Sequence, residues 1–383
     1  MAANTLTNIL PKILAQGLMA LREAAVMPRL VTTDFAGDAA RKGSTIDIPV
    51  PKTQTAANVT AAPVHSSAAG VTPGLVQVQL NQWKHTDFYL TDKEMVEVDR
   101  NAHFVPMQTS EAARVLANTM DAHIHSQYTG IYGFVGTAGV IPFSTVATAT
   151  NTRKVLNEQL APVSIRNVVL DPTGEAQALQ LAAYSDVEKT GDRAVKIEGE
   201  IGRKFGMDHF MSQNVGTHTA GTVASMTVGS TTAAGASALQ VKVASAGLAG
   251  TLVPGDIFTI AGDAQTYVVK NAATVTVSAA NTALTIDPAL KQIASATKVV
   301  IKKATHVVNL GFHPNAFAFA TRPLLQQASE SGLGSMFAAA TDPVTGLSLR
   351  LEISRQYKQL KWDFDVLYGA KLIRPELGVR IAG

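Results

Sequence analysis

Two short segments near the N-terminus place an apolar residue at every second position, as strands with one buried face do. The segment 43–51 does so with Ile, Ile and Val, and 75–81 with Val, Val and Leu. Between them, 52–74 is rich in Ala, Thr and Pro and shows no periodicity. Pro49 and Pro51 favour an edge strand, because proline has no N–H to donate. This pattern predicts an extended β-hairpin whose long loop reaches outward.

Helical spacing of apolar residues occurs on both sides of this hairpin. An amphipathic helix is predicted within Leu6–Leu21, and Pro28 limits it. Thr91 and Glu94 have the spacing of a helix capping box. A longer helix is predicted from about Gln108 to Gln127, with Pro106 breaking or kinking the pattern before it. Its apolar stripe consists of Ala112, Leu116, Met120 and Ile124.

Strand and helix signals alternate in the middle of the chain, which is typical of α/β structure. A strand is predicted at Val163–Leu170, a helix at Glu175–Tyr184 and paired strands within 199–215. After residue 305, a strand is predicted at His306–Leu310, and the apolar residues of Asn315–Gln327 include helical spacing. Strands end the chain at Leu347–Ser354, Trp362–Leu367 and Gly378–Ala382.

The segment 216–305 differs from its surroundings, since it is rich in Ala, Thr, Val, Ser and Gly and almost lacks aromatic residues. Short apolar runs with turn signals between them predict a small sandwich or barrel. Because alternating strand and helix signals resume after it, this segment is interpreted as an insertion. The predicted strands are Ala238–Val243, Asp256–Ile260, Thr266–Val269, Thr274–Ser278, Ala283–Ile286 and Lys298–Ile301.

Composition narrows the possible functions of these 383 residues. Charged residues make up only 16%, below the roughly 25% usual for soluble domains, which indicates that much of the surface meets other protein. The formal net charge of +3 comes without any Lys- or Arg-rich run, so a dense nucleic-acid-binding patch is disfavoured. The absence of cysteine excludes disulfides and thiolate chemistry and suits a reducing cytoplasm. The N-terminal segment fits neither a signal peptide nor a membrane span.

Histidines give the nearest approach to a metal or catalytic motif. His123 and His125 form the only tight pair, but on a helix they lie about 200° apart and cannot share a metal. His85 and Asp87 would share a strand face, yet two residues do not complete a metal site.

Other candidates for chemistry have simpler structural interpretations. Gly332-Leu333-Gly334 followed by Ser335 matches neither a nucleotide-binding fingerprint nor a serine-nucleophile motif and is interpreted as a turn. Glu198 and Glu200 are interpreted as a solvated strand face rather than an acid–base pair. Trp83 and Trp362, each beside a lysine, are interpreted as packing anchors rather than base-stacking residues. No catalytic, cofactor-binding or metal-binding residue is therefore assigned, and no cofactor is expected.

Several segments of the sequence resemble segments of the major capsid proteins of tailed phages with the HK-ninety-seven fold. The resemblance is strongest to coat proteins related to that of phage P-twenty-two. The resemblance covers nearly the whole chain by region order and is most specific in 199–221 and 306–383. It rests on GEIGRKFGMDHFMSQNV at 199–215, GDIFTIAG at 255–262, FHPNAF at 312–317, DVLYG at 365–369 and RPELG at 374–378.

The resemblance implies an α+β fold with an inserted small all-β domain and assigns a role to each region. The expected regions are an N-terminal arm (1–42), an extended β-hairpin loop lying on a neighbouring subunit (43–90), a spine helix with peripheral domain (91–151), an apical domain in two parts (152–221 and 305–333), an inserted β-barrel-like domain (222–304) and C-terminal strands of the peripheral domain (334–383).

The same resemblance implies a structural protein of the virion, assembled in the host bacterial cytoplasm, and not an enzyme. Its partners would be other copies in hexamers and pentamers, a separate scaffolding protein, a portal protein and, weakly and non-specifically, packaged double-stranded DNA; decoration proteins are left open and a membrane is not expected. The alternative is a β-rich tail-associated or surface adhesion protein, which the insertion suggests. A third possibility is an enzyme whose polar pocket is formed by residues far apart in the sequence.

Overall fold

The computed structural model describes residues 10–33, 45–51, 56, 58, 72–94, 104–186, 201–243, 249–275, 281–324, 335–342 and 346–383. Helices and strands are mixed throughout these ranges, so the predicted α+β class is confirmed. The helices are α1 (Leu10–Ala24), α2 (Met27–Leu30), α3 (Phe104–Ser126), α4 (Ala147–Glu158), α5 (Pro172–Leu179) and α6 (Ala182–Ser185). Short 3-10 helices lie at Gln127–Gly130, Pro314–Ala316 and Pro375–Leu377.

The two long helices, α1 and α3, pack against each other as their apolar stripes predict. Leu14 and Leu21 of α1 are buried, and so are all four predicted stripe residues of α3. Pro106 does not break the helix, because α3 begins at Phe104 and Pro106 lies in its first turn, where a helix needs no N–H donor. The capping box is confirmed, since the Thr91 amide donates to Glu94 and the Glu94 amide donates to Thr91 Oγ1.

A five-stranded antiparallel sheet lies beneath these helices. Its longest strand, β21, pairs with β3, β18 and β20, and β19 pairs with β20. Alternate residues such as Leu349, Leu351 and Phe364 are buried under α1 and α3. The strands are β3 (Gln82–Thr91), β18 (Phe317–Arg322), β19 (Ser335–Thr341), β20 (Ser348–Gln356) and β21 (Gln359–Leu372).

A second sheet has seven strands in the order β4-β22-β17-β5-β7-β6, with β8 added to β17. The pairs β4–β22 and β5–β7 are parallel and the others antiparallel. Every residue of β5 is buried, as expected for a central strand covered on both faces. The strands are β4 (Gly133–Val135), β5 (Arg166–Leu170), β6 (Arg203–Lys204), β7 (Met207–Met211), β8 (Thr217–His218), β17 (His306–Phe312) and β22 (Gly378–Ala382).

The segment 226–302 forms a closed six-stranded barrel with its own core. That core includes Phe258 stacked on Tyr267 and is separate from the main core. All six strands predicted for the insertion are present, with ends that differ from the predicted ones by at most three residues. The barrel order is β10-β15-β13-β12-β16-β9, and β11 pairs with β14 outside it. The strands are β9 (Met226–Val228), β10 (Ala238–Val243), β11 (Gly250–Leu252), β12 (Ile257–Ile260), β13 (Thr266–Val269), β14 (Ala273–Val275), β15 (Thr282–Asp287) and β16 (Val299–Lys302).

Two predictions for the α/β part need correction. The helical spacing assigned from Asn315 belongs to strand β18, whose Phe317–Ala320 stretch is buried on both faces and so lacks polar alternation. The helix predicted at Glu175–Tyr184 is two short helices, α5 and α6. The C-terminal strands are divided between the two sheets, since β21 pairs with β18 and β22 pairs with β17.

Candidate assembly surfaces

Residues considered for chemistry are spread over the molecule rather than brought together. The His123 ring packs edge-on against Tyr368, with ring centroids 5.4 Å apart. By contrast, His125 Nε2 lies 2.8 Å from the Val308 carbonyl oxygen, so the pair points to different partners. His85 lies 3.2 Å from Asp363 on an exposed sheet face. Across the described ranges, no three or more His, Asp or Glu side chains are arranged to hold a metal ion.

Two other candidate groups fall outside the described residues, namely Glu198 with Glu200 and the turn at 332–334. Ser335 begins strand β19. Among the helices that the structure describes, none has the length and apolar character needed to cross a membrane.

The two tryptophans play different roles. Trp362 is buried and stacks on Phe88 at 6.1 Å, as a packing anchor should. Trp83 is 62% exposed, so its interpretation as a packing anchor is wrong. Its indole N–H donates to Asp365 at 2.8 Å, which fixes the ring on the outer face of the five-stranded sheet. Sequence alternation cannot tell which face of a strand is covered, and this is why the two residues looked alike.

The predicted hairpin is present as a two-stranded ribbon formed by β1 (Thr45–Val50) and β2 (Gly74–Gln79). Its base is bound to the five-stranded sheet, because Ile46, Ile48, Val78 and Leu80 bury their side chains against Ala318 and Ala320. Burial decreases along the ribbon, and Leu75 near its far end is 60% exposed. The ribbon therefore leaves the body of the subunit toward the segment 52–73.

The N-terminal arm is fixed by a buried carboxylate on α3. Asp121 accepts hydrogen bonds from the backbone amides of Val26 and Met27, at the bend between α1 and α2. Burial raises the pKa of Asp121 to about 6. Further along, Asn167 at the start of β5 donates to the Leu30 carbonyl oxygen. These bonds tie the arm to α3 and to the seven-stranded sheet.

The outer face of the five-stranded sheet is charged. Arg350 makes a bidentate ion pair with Asp365, which is almost fully buried, and stacks over Phe337. Lys361 lies within 3.2 Å of both Asp87 and Asp363. A groove of about 400 Å³ runs across this face, lined by Trp83, His85, Arg350, Glu352, Asp363 and Asp365.

An exposed apolar loop lies at one end of the seven-stranded sheet. Leu160, Val163 and Ile165 are 89%, 61% and 58% exposed. Arg166, which is itself buried, donates to the carbonyl oxygens of Ala161 and Pro162 and so fixes the loop. Leu160 and Ile165 have φ values of 59° and 50°, a left-handed conformation that costs energy for side chains of this size.

Comparison with solved structures decides the fold. Over 93% of this chain and 90% of the other, it matches a chain of Mycobacterium phage Che8 with a TM-score of 0.51 and 15% sequence identity. The other solved structures that match include phage capsids and a virus-like particle from Pyrococcus furiosus. This chain has the tailed-phage capsid fold.

A capsid structure of the cyanophage P-SCSP1u matches at a TM-score of 0.49, 10% identity and 93% and 86% coverage of the two chains. No protein-family model matches the chain, and no curated protein does. The division into domains remains a prediction.

Proposed function

We propose that this protein is the major capsid protein of a tailed phage, a structural shell subunit and not an enzyme. The observation that carries the proposal is the ribbon β1–β2. A two-stranded ribbon is marginally stable alone and offers unpaired main-chain groups along its outer edges. Here its base is packed tightly and its far end, around Leu75, is exposed. Such an arm gains stability by lying on a second copy.

Other features support the same proposal. Charged residues are only 16% of the chain, so its surface is poorly suited to a free monomer. The loop at Leu160–Ile165 presents apolar side chains from a rigid backbone, as interface residues do. The barrel has its own core and joins the sheets through paired strands, which suits a projecting domain.

We further propose the partners of this subunit. Copies would form hexamers and pentamers of an icosahedral head in the virion, assembled in the bacterial cytoplasm. A separate scaffolding protein would direct assembly, and a portal protein would occupy one vertex. Packaged double-stranded DNA would make only weak, non-specific contact, since a net charge of +3 is spread over the chain.

The test is electron microscopy of the protein expressed alone and together with its candidate scaffolding protein. We expect closed shells with the scaffold, and polymorphic shells or tubes without it. Monodisperse monomers under both conditions would contradict the proposal. Leu75→Asp should block assembly, while Leu75→Met, which keeps the apolar side chain, should assemble like the wild type.

A further inference from the structure

The barrel meets the seven-stranded sheet at a buried polar contact that we name the joint: Tyr128, His218, Asp256, His306 and Arg380. These residues come from five places in the fold. Tyr128 lies just after α3, His218 and His306 lie on the paired strands that enter and leave the barrel, Asp256 lies in the barrel, and Arg380 lies in β22. All but Tyr128 are at least 96% buried.

Asp256 is the barrel's main polar contribution to the joint. Its carboxylate lies 3.0 Å from His218 Nε2 and accepts the backbone amides of Gly221 and Val253. The other nitrogen of His218 lies 3.2 Å from the Tyr128 hydroxyl. Each ring nitrogen of His218 therefore has its own hydrogen-bond partner, a carboxylate oxygen on one side and a phenol oxygen on the other.

Arg380 connects the same barrel loop to the C-terminal strand. Its Nη1 donates to the Gly255 carbonyl oxygen at 2.7 Å, and its guanidinium lies over the Tyr128 ring at 5.0 Å. Gly255 has a φ of 98°, and a Cβ atom there would lie 3.1 Å from His218. The close fit of Gly255 between His218 and Arg380 fixes the position of the barrel.

His306 is the residue whose protonation the closed joint cannot accommodate. Its Nδ1 donates to the Ala304 carbonyl oxygen at 2.7 Å, so the neutral ring carries its proton there. Its Nε2 is buried and has no hydrogen-bond partner among the described residues. A proton on Nε2 would be a buried donor without an acceptor, and the resulting charge would add to that of Arg380.

The charged groups around His306 come from several elements of the fold. Arg380 in β22 and Lys303, which lies over the Phe134 ring, are cations, and among the described residues Asp256 is the carboxylate that acts on His306. Asp256 already accepts three donors. His218, 5.6 Å from His306 between ring centroids, and His125 add further titratable rings. Within the part of the chain that the structure describes, the joint therefore has no spare anion for a second buried cation.

We propose that the joint is an acid-sensitive lock: protonation of His306 releases the barrel from the sheet while both cores remain folded. The apolar contact at this place is small, consisting of Tyr132, Ile257 and Val268 with Phe134 packed against them. The barrel core and the main core are separate, so opening the joint exposes neither. The proposal does not depend on shell formation, because it concerns the single subunit.

Burial lowers the pKa of His306 from its ordinary 6.5 to about 4. The closed joint then holds fewer protons than the open one between these two pH values, so opening becomes easier as the pH falls through this window. Linkage predicts that the opening equilibrium rises roughly 30-fold from pH 7.5 to pH 5.

The test is hydrogen exchange of the full chain, read by mass spectrometry as protection factors corrected for intrinsic exchange. Between pH 7.5 and pH 5, we expect protection to fall roughly 30-fold in peptides covering 217–222 and 253–256. Protection of β10 in the barrel and β5 in the sheet should remain unchanged. Equal loss everywhere, or no loss at the joint, would overturn the proposal.

Two variants separate the lock from a general effect of acid. His306→Asn keeps a donor near the Nδ1 position but cannot be protonated, and it should remain protected at pH 5. His209→Gln is the matched control, because burial also lowers the pKa of His209 to about 4 while its ring contacts Tyr184 and Phe143, away from the joint. The control should open like the wild type. If His209→Gln abolished the response, the lock would be excluded.

Discussion

A Cβ atom on Gly369 would lie 2.2 Å from the carbonyl oxygen of Gln79, so β21 and the base of the ribbon can meet only where this residue is glycine. The contact joins the C-terminal strand of the five-stranded sheet to the last residue of β2. It explains how an otherwise isolated ribbon leaves the subunit in a fixed direction.

The first prediction follows from this contact. Gly369→Ala should lower the free energy of unfolding by about 1–3 kcal/mol, the usual cost of overpacking, and should increase proteolysis of the ribbon. Gly74→Ala is the control, since its added Cβ would meet nothing closer than 3.8 Å. Chemical unfolding and limited proteolysis of both variants provide the measurement. Equal effects would mean that the ribbon is not fixed at Gly369.

The second prediction concerns Asp121 and pH. Because burial raises its pKa from 3.8 to about 6, the folded state binds a proton more tightly than the unfolded state. The stability this provides is fully present below pH 3.8 and is lost as the pH rises through 6. Relative to Asp121→Asn, the wild type should gain roughly 1.5 kcal/mol between pH 7.5 and pH 5. Parallel stability curves for the two proteins would show that Asp121 is not the titrating group.

The third prediction compares two ion pairs of the five-stranded sheet. Arg350→Met leaves the nearly buried Asp365 without its cation and should cost roughly 3 kcal/mol. Arg355→Met breaks the exposed pair with Asp92, whose side chains are 56% and 46% exposed, and should cost less than about 0.5 kcal/mol. Denaturant unfolding of both variants tests this difference, and similar losses would contradict the assigned burial.

The fourth prediction concerns the barrel. The Ala220 amide donates to Thr305 Oγ1 at 3.1 Å, so the two ends of the insertion are adjacent and 222–304 can be replaced by a short Gly-Ser link. The remaining fold should be retained, because the main core does not include the barrel, while folding yield or assembly should fall. Circular dichroism and electron microscopy check the two parts. Normal shell formation would argue against a functional insertion.

Much of the fold could be predicted because its signals are local. The barrel strands alternate apolar and polar residues, as β10 does with Leu239, Val241 and Val243 buried. Strand β18 was missed because its neighbours cover both faces, which removes the alternation. The joint was missed for a different reason: His218, Asp256 and Arg380 are far apart in sequence and meet only through the pairing of β8, β17 and β22.

The fifth prediction concerns the segment between the ribbon strands. Replacing 52–73 by a short Gly-Ser turn, or reversing charge within it, should abolish assembly yet shift the melting temperature of the subunit by less than ~2 °C. The reason is that the strands on either side are bound to the sheet through Ile46, Ile48, Val78 and Leu80 at their base. Calorimetry and sedimentation measure the two effects. Loss of stability equal to the loss of assembly would place the segment in the subunit core.

The shell assignment is tested most directly by cryo-electron microscopy of particles formed by the protein with its scaffolding partner. We predict closed icosahedral shells in which the far end of the ribbon, around Leu75, lies against a neighbouring copy and is covered by it. Particles in which the ribbon remains in solvent, or the absence of any closed shell, would contradict the assignment.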